Sequence, residues 1–207
     1  MRWPQIVPVM TLPNAILFPQ SLLPLYIFEP KYQAMLRDAL DGDRMFVIAL
    51  ARCPCGNSPL APHDVGGLGL IRACTDNPDG TSNLILQGLT RVRILEISSE
   101  NPYRQARIEP IRSVNSSGID VEALMLRVLE IAVAAASSIP GMPPQISEFL
   151  GKLDDPDTLC DVVSSTMVSD IQSRQRLLET ADVRKRLNEL IPCLTRASSR
   201  GGEKNGA

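Results

Sequence analysis

Between residues 12 and 40 the chain reads LPNAILFPQSLLPLYIFEPKYQAMLRDAL, and the rest of the sequence is organised around this stretch. It opens as an apolar run broken by Pro13, Pro19 and Pro24, continues as Leu25-Tyr26-Ile27-Phe28, and then takes on a helical period. The pattern predicts strand, turn, strand and helix. Pro30 suits a first helical position, where a missing N–H has no intrahelical partner in any case. Gly42 suits the far end, where a left-handed residue often stops a helix. Tyr32, Met35, Leu36, Ala39 and Leu40 fall on one face of that helix. Tyr26, Phe28, Tyr32 and Leu36 are expected in the core, joining the first strands to the helix.

Upstream, QIVPVMT at residues 5–11 reads as a first strand, with Pro8 implying an edge or a bulge. Downstream, MFVIAL at 45–50 is a short continuous apolar run, the signature of a buried strand. Residues 51–64 are punctuated by Pro, Gly, Asn and Ser and read as a loop. VGGLGLIRACT at 65–75 resumes strand character, its three glycines implying a bulge or a close backbone approach. Asp79-Gly80 marks a hairpin turn. Residues 83–87, 90–97 and 103–111 complete the β series, and short strands at regular spacing argue for a barrel or sandwich. The early helix then plugs or covers it.

After SVNSSG at 113–118 the period changes. Leu124, Val128, Ile131 and Ala135 share a helical face, with Asp120 as the expected N-cap. Residues 140–144 break the pattern. Ile146, Phe149, Leu150 and Leu153 make a short helix, Asp155-Pro156 opens another through Leu159, Val162, Val163 and Met167, and residues 174–179 follow. Thr180 is expected to cap a last helix with Val183, Leu187, Leu190, Ile191 and Leu194 buried and Pro192 ending or kinking it. The expected organisation is α+β: a β-rich unit at 1–116, a helical unit at 117–197 and a disordered tail at 198–207.

Composition narrows the function classes. Hydrophobic residues make up 44% of the 207, enough for a sizeable core. A net charge of −2 gives no overall attraction to nucleic acid or anionic membrane. Aromatics at 4% are too few for a base-stacking platform, while 17 prolines fit a chain rich in turns and edge strands. The N-terminus lacks the apolar segment of a secretory signal, and no apolar run approaches the roughly 20 residues that span a bilayer. Five irregularly spaced cysteines do not make a disulfide framework. A cytoplasmic protein is expected.

Candidate chemistry is sparse. Cys53, Cys55, His63 and Cys74 are residue types that ligate metals, but structural zinc sites separate paired cysteines by about two to four residues. Here a single proline separates them and no second pair follows, so no metal is expected. His63 is the one histidine, and no Gly-x-Ser-x-Gly elbow accompanies it. Gly67-Leu68-Gly69 lacks the third glycine and the helix of a dinucleotide loop, and no P-loop occurs. Neither catalytic residues nor a cofactor are expected. Arg91, Arg93, Arg104 and Arg107, with Arg112, could meet phosphates, as on RNA-binding barrels. Glu96, Glu100 and Glu109 lie among them, and cross-strand ion pairing is the preferred reading. Asp154, Asp155 and Asp157 sit where they offset a helix dipole.

Residues 12–36 resemble the opening signature of the Lon protease N-terminal, substrate-binding domain family. Val65-Gly66-Gly67-Leu68 is similar to that family's Val-Gly-Thr-Leu/Val segment, with Gly67 in place of Thr. Pro78-Asp79-Gly80 resembles its hairpin, and residues 87–94, QGLTRVRI, its Glu-Gly-x-x-Arg-x-x-Ile strand pair. Residues 174–179, RQRLLE, and 182–187, DVRKRL, resemble its late helical segments. The resemblance implies a PUA-like β pseudo-barrel followed by a helical bundle, with no catalytic residues in this domain. It also implies a stand-alone bacterial-type member without the ATPase and protease parts. The expected function is non-enzymatic binding of unfolded polypeptide segments or a protein partner, as an adaptor in protein quality control. The expected contact is apolar surface near the junction of barrel and bundle, with Glu29, Lys31, Arg37 and Asp38 on the outward side of the first helix. The alternative is an RNA-binding barrel using Arg91, Arg93, Arg104 and Arg107.

Overall fold

The computed structural model describes residues 3–52, 61–98, 102–138 and 145–202. Two compact units divide the chain, Met1–Ile111 and Arg112–Ala207. Together they give an α+β protein.

Among its described residues the first unit holds six strands and one helix: β1 (Ile6–Leu12), β2 (Leu22–Ile27), α1 (Pro30–Asp41), β3 (Met45–Leu50), β4 (Val65–Asp76), β5 (Ser82–Ser98) and β6 (Arg104–Pro110). The strand order is β2-β5-β4-β3-β1-β6, and a further β5–β6 pairing closes five of the strands into a barrel. β1 and β3 run parallel; the other pairs are antiparallel. β5 makes the closure possible. Its first half pairs with β2 and its second with β6, while β4 follows it almost throughout. Two strands expected at 83–87 and 90–97 are thus one strand of 17 residues. Gly88-Leu89 does not end it but forms an irregularity, at which the β4 register slips between Leu68 and Gly69. Pro8 is not on an edge strand, since β1 lies between β3 and β6. Pairing with β3 begins only at Val9, so Pro8 sits where one side of the strand is still unclaimed.

Period-two alternation splits the apolar side chains between two cores. Val7, Val9, Val47, Ala49, Leu68, Val92, Ile94, Ala106 and Ile108 fill one. Met10, Phe46, Ile48, Ile71, Leu84 and Leu86 face the other way and are covered by Met35, Leu36 and Ala39 of α1. Helix α1 begins at Pro30 and stops at Gly42 as its sequence implies. Gly42 has φ −108°, so the stop uses no left-handed residue; its N–H donates to the Ala39 carbonyl instead.

The connection at residues 13–21 departs from the expected strand. It is irregular, yet Ile16, Leu17 and Phe18 are fully buried. Gln20 N–H donates to the Gly88 carbonyl and Gly88 N–H to the Ser21 carbonyl, at 2.9 and 2.8 Å. The segment lies so close to the sheet that a Cβ on Gly67 would fall 2.0 Å from the Leu17 carbonyl oxygen, and one on Gly88 1.9 Å from that of Phe18. The close approach implied by the glycine-rich β4 is this contact.

The second unit is helical: α2 (Ile119–Ser138), α3 (Gln145–Gly151), α4 (Pro156–Met167), α5 (Ile171–Glu179) and α6 (Val183–Gly202). Helix α6 packs on α2, α4 and α5. Val183, Leu187, Leu190 and Leu194 are fully buried along it. Asp155 caps α4 as expected, accepting from Thr158 N–H at 2.8 Å. Three terminal expectations are corrected. Asp120 lies inside the first turn of α2 and pairs with Arg184 at 3.2 Å rather than capping. Asp182, not Thr180, caps α6, accepting from Lys185 N–H at 3.0 Å, while the Thr180 hydroxyl donates back to the Arg176 carbonyl. Pro192 does not end α6. It sits on an exposed face, where a carbonyl left without its helical donor can turn to water. The backbone of α6 runs past Ser198 to Gly202, and residues 203–207 lie outside the described part.

Candidate functional site

The apolar run Leu22-Leu23-Pro24-Leu25-Tyr26-Ile27-Phe28 must put every second side chain on each face of the sheet. Ile27 is buried, and Leu23 and Leu25 are partly buried against the core beneath α1. The alternate set therefore points outward. Leu22 is 63% exposed, Tyr26 54% and Phe28 59%. This corrects the expectation that Tyr26 and Phe28 belong to the core. Where both faces of a strand are apolar, composition cannot say which face is buried. Tyr32 and Leu36 do face inward, Leu36 fully and Tyr32 partly, with the Tyr32 hydroxyl donating to the Thr11 carbonyl at 3.1 Å.

Register aligns the outward positions into rows. Pro24 stands opposite Ile85, which stands opposite Ala73; Tyr26 stands opposite Asn83, which stands opposite Thr75. Because Ala73 and Thr75 are small, a shallow groove of about 360 Å³ runs over β5 between the side chains of β2 and β4. At one end the rings of Tyr26 and Phe28 stack, with centroids 5.9 Å apart. Beyond the groove, on the same face, Leu22 lies opposite Gln87, whose side-chain oxygen accepts from Arg72 Nε. Such a row of exposed apolar side chains on one sheet face is the kind of surface that marks an interaction site.

Of the charged residues expected at a partner contact, Glu29 and Lys31 follow Phe28 at the start of α1, whereas Arg37 and Asp38 lie farther along that helix, which covers the opposite face of the sheet. Glu29 and Lys31 pair at 2.9 Å, and that bond raises the Lys31 pKa; its ammonium lies 4.6 Å from the Tyr32 ring centroid. Arg37 is exposed and donates to the Gln33 carbonyl within its own helix. Asp38 is engaged inside the unit, accepting from the Tyr103 hydroxyl. Burial pushes the Tyr103 pKa up and the Asp38 bond adds to the rise, so the phenol keeps the proton it donates.

The arginines expected to share a phosphate-binding surface are dispersed. Arg91 is 3% exposed. Arg93 stands opposite Glu109, and Arg107 opposite Glu96, with 3.8 Å between the charged atoms of the second pair. Arg104 lies on the other face of β6 and donates to the Thr11 hydroxyl at 3.3 Å. Cross-strand ion pairing accounts for Arg107, and the register sets Arg93 beside Glu109.

Of the proposed metal-type residues, Cys53 and Cys55 lie outside the described part. His63 is half-buried, with its backbone N–H donating to the Leu50 carbonyl at 2.8 Å. Cys74 packs against the core under α1, and burial pushes its thiol pKa up, away from the thiolate that binds metals or attacks. Among the described residues, no three His, Cys, Asp or Glu side chains gather closely enough to hold a metal ion. Among the same residues, no helix is long and apolar enough to cross a membrane.

One buried polar set escaped sequence reasoning. Arg186, fully buried on α6, donates to Asp161 at 2.9 Å, to Asp157 at 2.5 Å and to the Ser113 hydroxyl at 3.1 Å. Burial alone would lower the Arg186 pKa; the two carboxylates outweigh it and raise the value. Asp157, which reads as a helix-dipole residue, is therefore a partner of a buried cation. Nothing in the spacing of residues 113, 157, 161 and 186 announces this.

A closed five-strand barrel carrying one edge strand and one helix, followed by a helical unit, defines a PUA-like pseudo-barrel of the α+β class. The model of the ATP-dependent protease La (LON) substrate-binding domain matches residues 6–196, and the chain belongs to that family. Lon protease of Dictyoglomus thermophilum is 29% identical over 194 residues, which is 93% of this chain and 24% of that protein. Lon protease 2 of Herpetosiphon aurantiacus is 30% identical over 195 residues, 91% of this chain and 23% of its own length. The chain thus spans about a quarter of the length of these relatives, and the match falls on their substrate-binding domain, not on a protease domain. Among solved structures, the N-terminal domain of the Mycobacterium avium complex Lon protease superposes with a TM-score of 0.77, 19% identity, and coverage of 92% of this chain and 98% of that one. A Lon N-terminal domain protein from Xanthomonas campestris gives 0.64, with 19% identity and coverage of 90% and 97%.

Proposed function

We propose that this chain is a non-enzymatic polypeptide-binding module that engages extended apolar segments on the outer face of β2, β5 and β4, in an adaptor role within protein quality control. The stacked, exposed pair Tyr26–Phe28 at one end of an apolar groove carries this reading. Family membership supports it at the level of substrate binding. Glu29 and Lys31 form its polar rim. An aromatic side chain offers about 150–250 Å², so covering the exposed half of each ring removes roughly 100 Å² from water. At about 25 cal/mol per Å² that is about 2.5 kcal/mol per ring. Part of the gain is offset by lost translational and rotational freedom. Such a site holds segments weakly and releases them readily.

The test is capture of chemically unfolded model proteins, scored by fluorescence anisotropy. The Tyr26→Ser/Phe28→Ser variant should bind at least tenfold more weakly, a factor that only about 1.4 kcal/mol of lost burial supplies. Its urea midpoint should fall far less than a core truncation would lower it, because about half of each ring already stands in solvent. Undiminished binding by this variant, or no binding by the parent chain, would sink the reading.

A further inference from the structure

The outer face of β2, β5 and β4 is apolar along most of its length, but a cation stands at one end. Arg72 is the extra residue where the β4–β5 register slips between Ile71 and Ala73. A bulge of this kind re-aims a side chain, and here it brings the guanidinium to Gln87, on the outward row that includes Leu22. Among Leu22, Pro24, Tyr26, Ile85, Gln87 and Arg72 it is the one charged group. Among the described residues no carboxylate pairs with it. Nε is occupied by the Gln87 side-chain oxygen, and Arg72 is an exposed residue whose two Nη groups remain to meet a ligand. That end-on fork matches the two oxygens of a carboxylate.

We propose that Arg72, oriented by Gln87, selects extended apolar segments that carry an aspartate or glutamate side chain at the Leu22 end of this sheet face, and so sets the direction in which a segment lies. The inference rests on the polypeptide-binding reading above. The carboxylate assigned is that of an internal aspartate or glutamate side chain, and the free and amidated peptides below distinguish it from a chain terminus. Gln87 acts here as a positioning residue.

The probes are fluorescein-labelled peptides with an alternating apolar core and one aspartate at a single end, with asparagine and lysine twins. Each is made with a free and with an amidated C-terminus. For an exposed ion pair backed by a fixed fork, the aspartate peptide should bind about three- to five-fold tighter than its asparagine twin at low salt. Amidation should not change that ratio. Arg72→Gln should bring the ratio to one, and Arg72→Glu should turn the preference towards the lysine twin. Arg72 is exposed, so neither variant endangers the fold. Equal affinity for the aspartate and asparagine peptides, a preference that survives Arg72→Gln, or one that follows the free C-terminus would overturn the assignment while leaving the apolar groove intact. Failure of every peptide to bind the parent chain would overturn both the assignment and the reading beneath it.

Discussion

Arg186→Met is the sharpest perturbation of this fold. Methionine fills much of the arginine's volume and leaves the helix in place, so the change isolates the charge. What remains is Asp161, whose side chain is 4% exposed, and Asp157, at 28%, both previously bonded to the guanidinium. The two carboxylates have different recourse. Asp157 can turn to water, whereas Asp161 cannot, and removing one partner of a buried pair typically costs about 3–5 kcal/mol. At roughly 2–4 °C per kcal/mol for a chain of this size, the melting temperature should fall by about 10 °C. Urea denaturation followed by far-UV circular dichroism measures the same loss as a shifted midpoint with an unchanged slope. Adding Asp161→Asn should return part of the stability, because the stranded charge is then gone. A loss below about 1 kcal/mol, the size expected of surface pairs, would refute the reasoning. So would a double variant weaker than the sum of the two single changes.

Two further outcomes follow from the geometry. Gly67→Ala places a methyl 2.0 Å from the Leu17 carbonyl oxygen; overpacking of this kind should lower stability by about 1–3 kcal/mol, read as a lower urea midpoint, whereas Gly151→Ala, with open space around it, should not. Asp182 accepts from Lys185 N–H and Asn115, bonds that lower its pKa below the ordinary 3.8. A folded-state value below the unfolded one adds stability that is fully present above about pH 4 and is lost as pH falls through the lowered value. A urea-midpoint titration should therefore show the Asp182→Asn deficit at neutral pH and its disappearance in acid.

The parts of this fold that were legible in the sequence are those set by local rules. Pro30, Asp155 and the Asp79-Gly80 turn each act within a few residues, and each stands where its chemistry implies. The glycines of β4 announced a close approach but not its partner, since Leu17 lies 50 positions away in the chain. Tyr26 and Phe28 were misplaced because Leu22-Leu23-Pro24-Leu25-Tyr26-Ile27 is apolar at every position, so alternation gives two equal solutions. Tertiary packing chose between them: Leu23, Leu25 and Ile27 reached the core beneath α1, and the rings were left outside. The apolar face assigned to binding was hidden for the same reason, as core and contact residues look identical in such a run. Arg186 and its carboxylates were invisible on different grounds. Asp161 stands 25 residues before its cation, and charged residues mid-helix ordinarily mean a solvated face.

The free edge of β2 has one further consequence. This strand pairs with β5 on one side, and among the described residues no other strand borders its opposite side. An apolar strand with an open row of backbone donors and acceptors is a template on which other chains can nucleate a growing sheet. Pro24, in the middle of β2, interrupts that row, since it has no N–H to offer and is tolerated in a sheet where its nitrogen looks away from the neighbour. On the binding proposed above, bare aromatic rings would meet unfolded chains while Pro24 discourages those chains from zipping onto the sheet as additional strands. Stickiness would then reside in the side chains and restraint in the backbone, so that the face proposed to collect apolar segments is not also a seed for their aggregation.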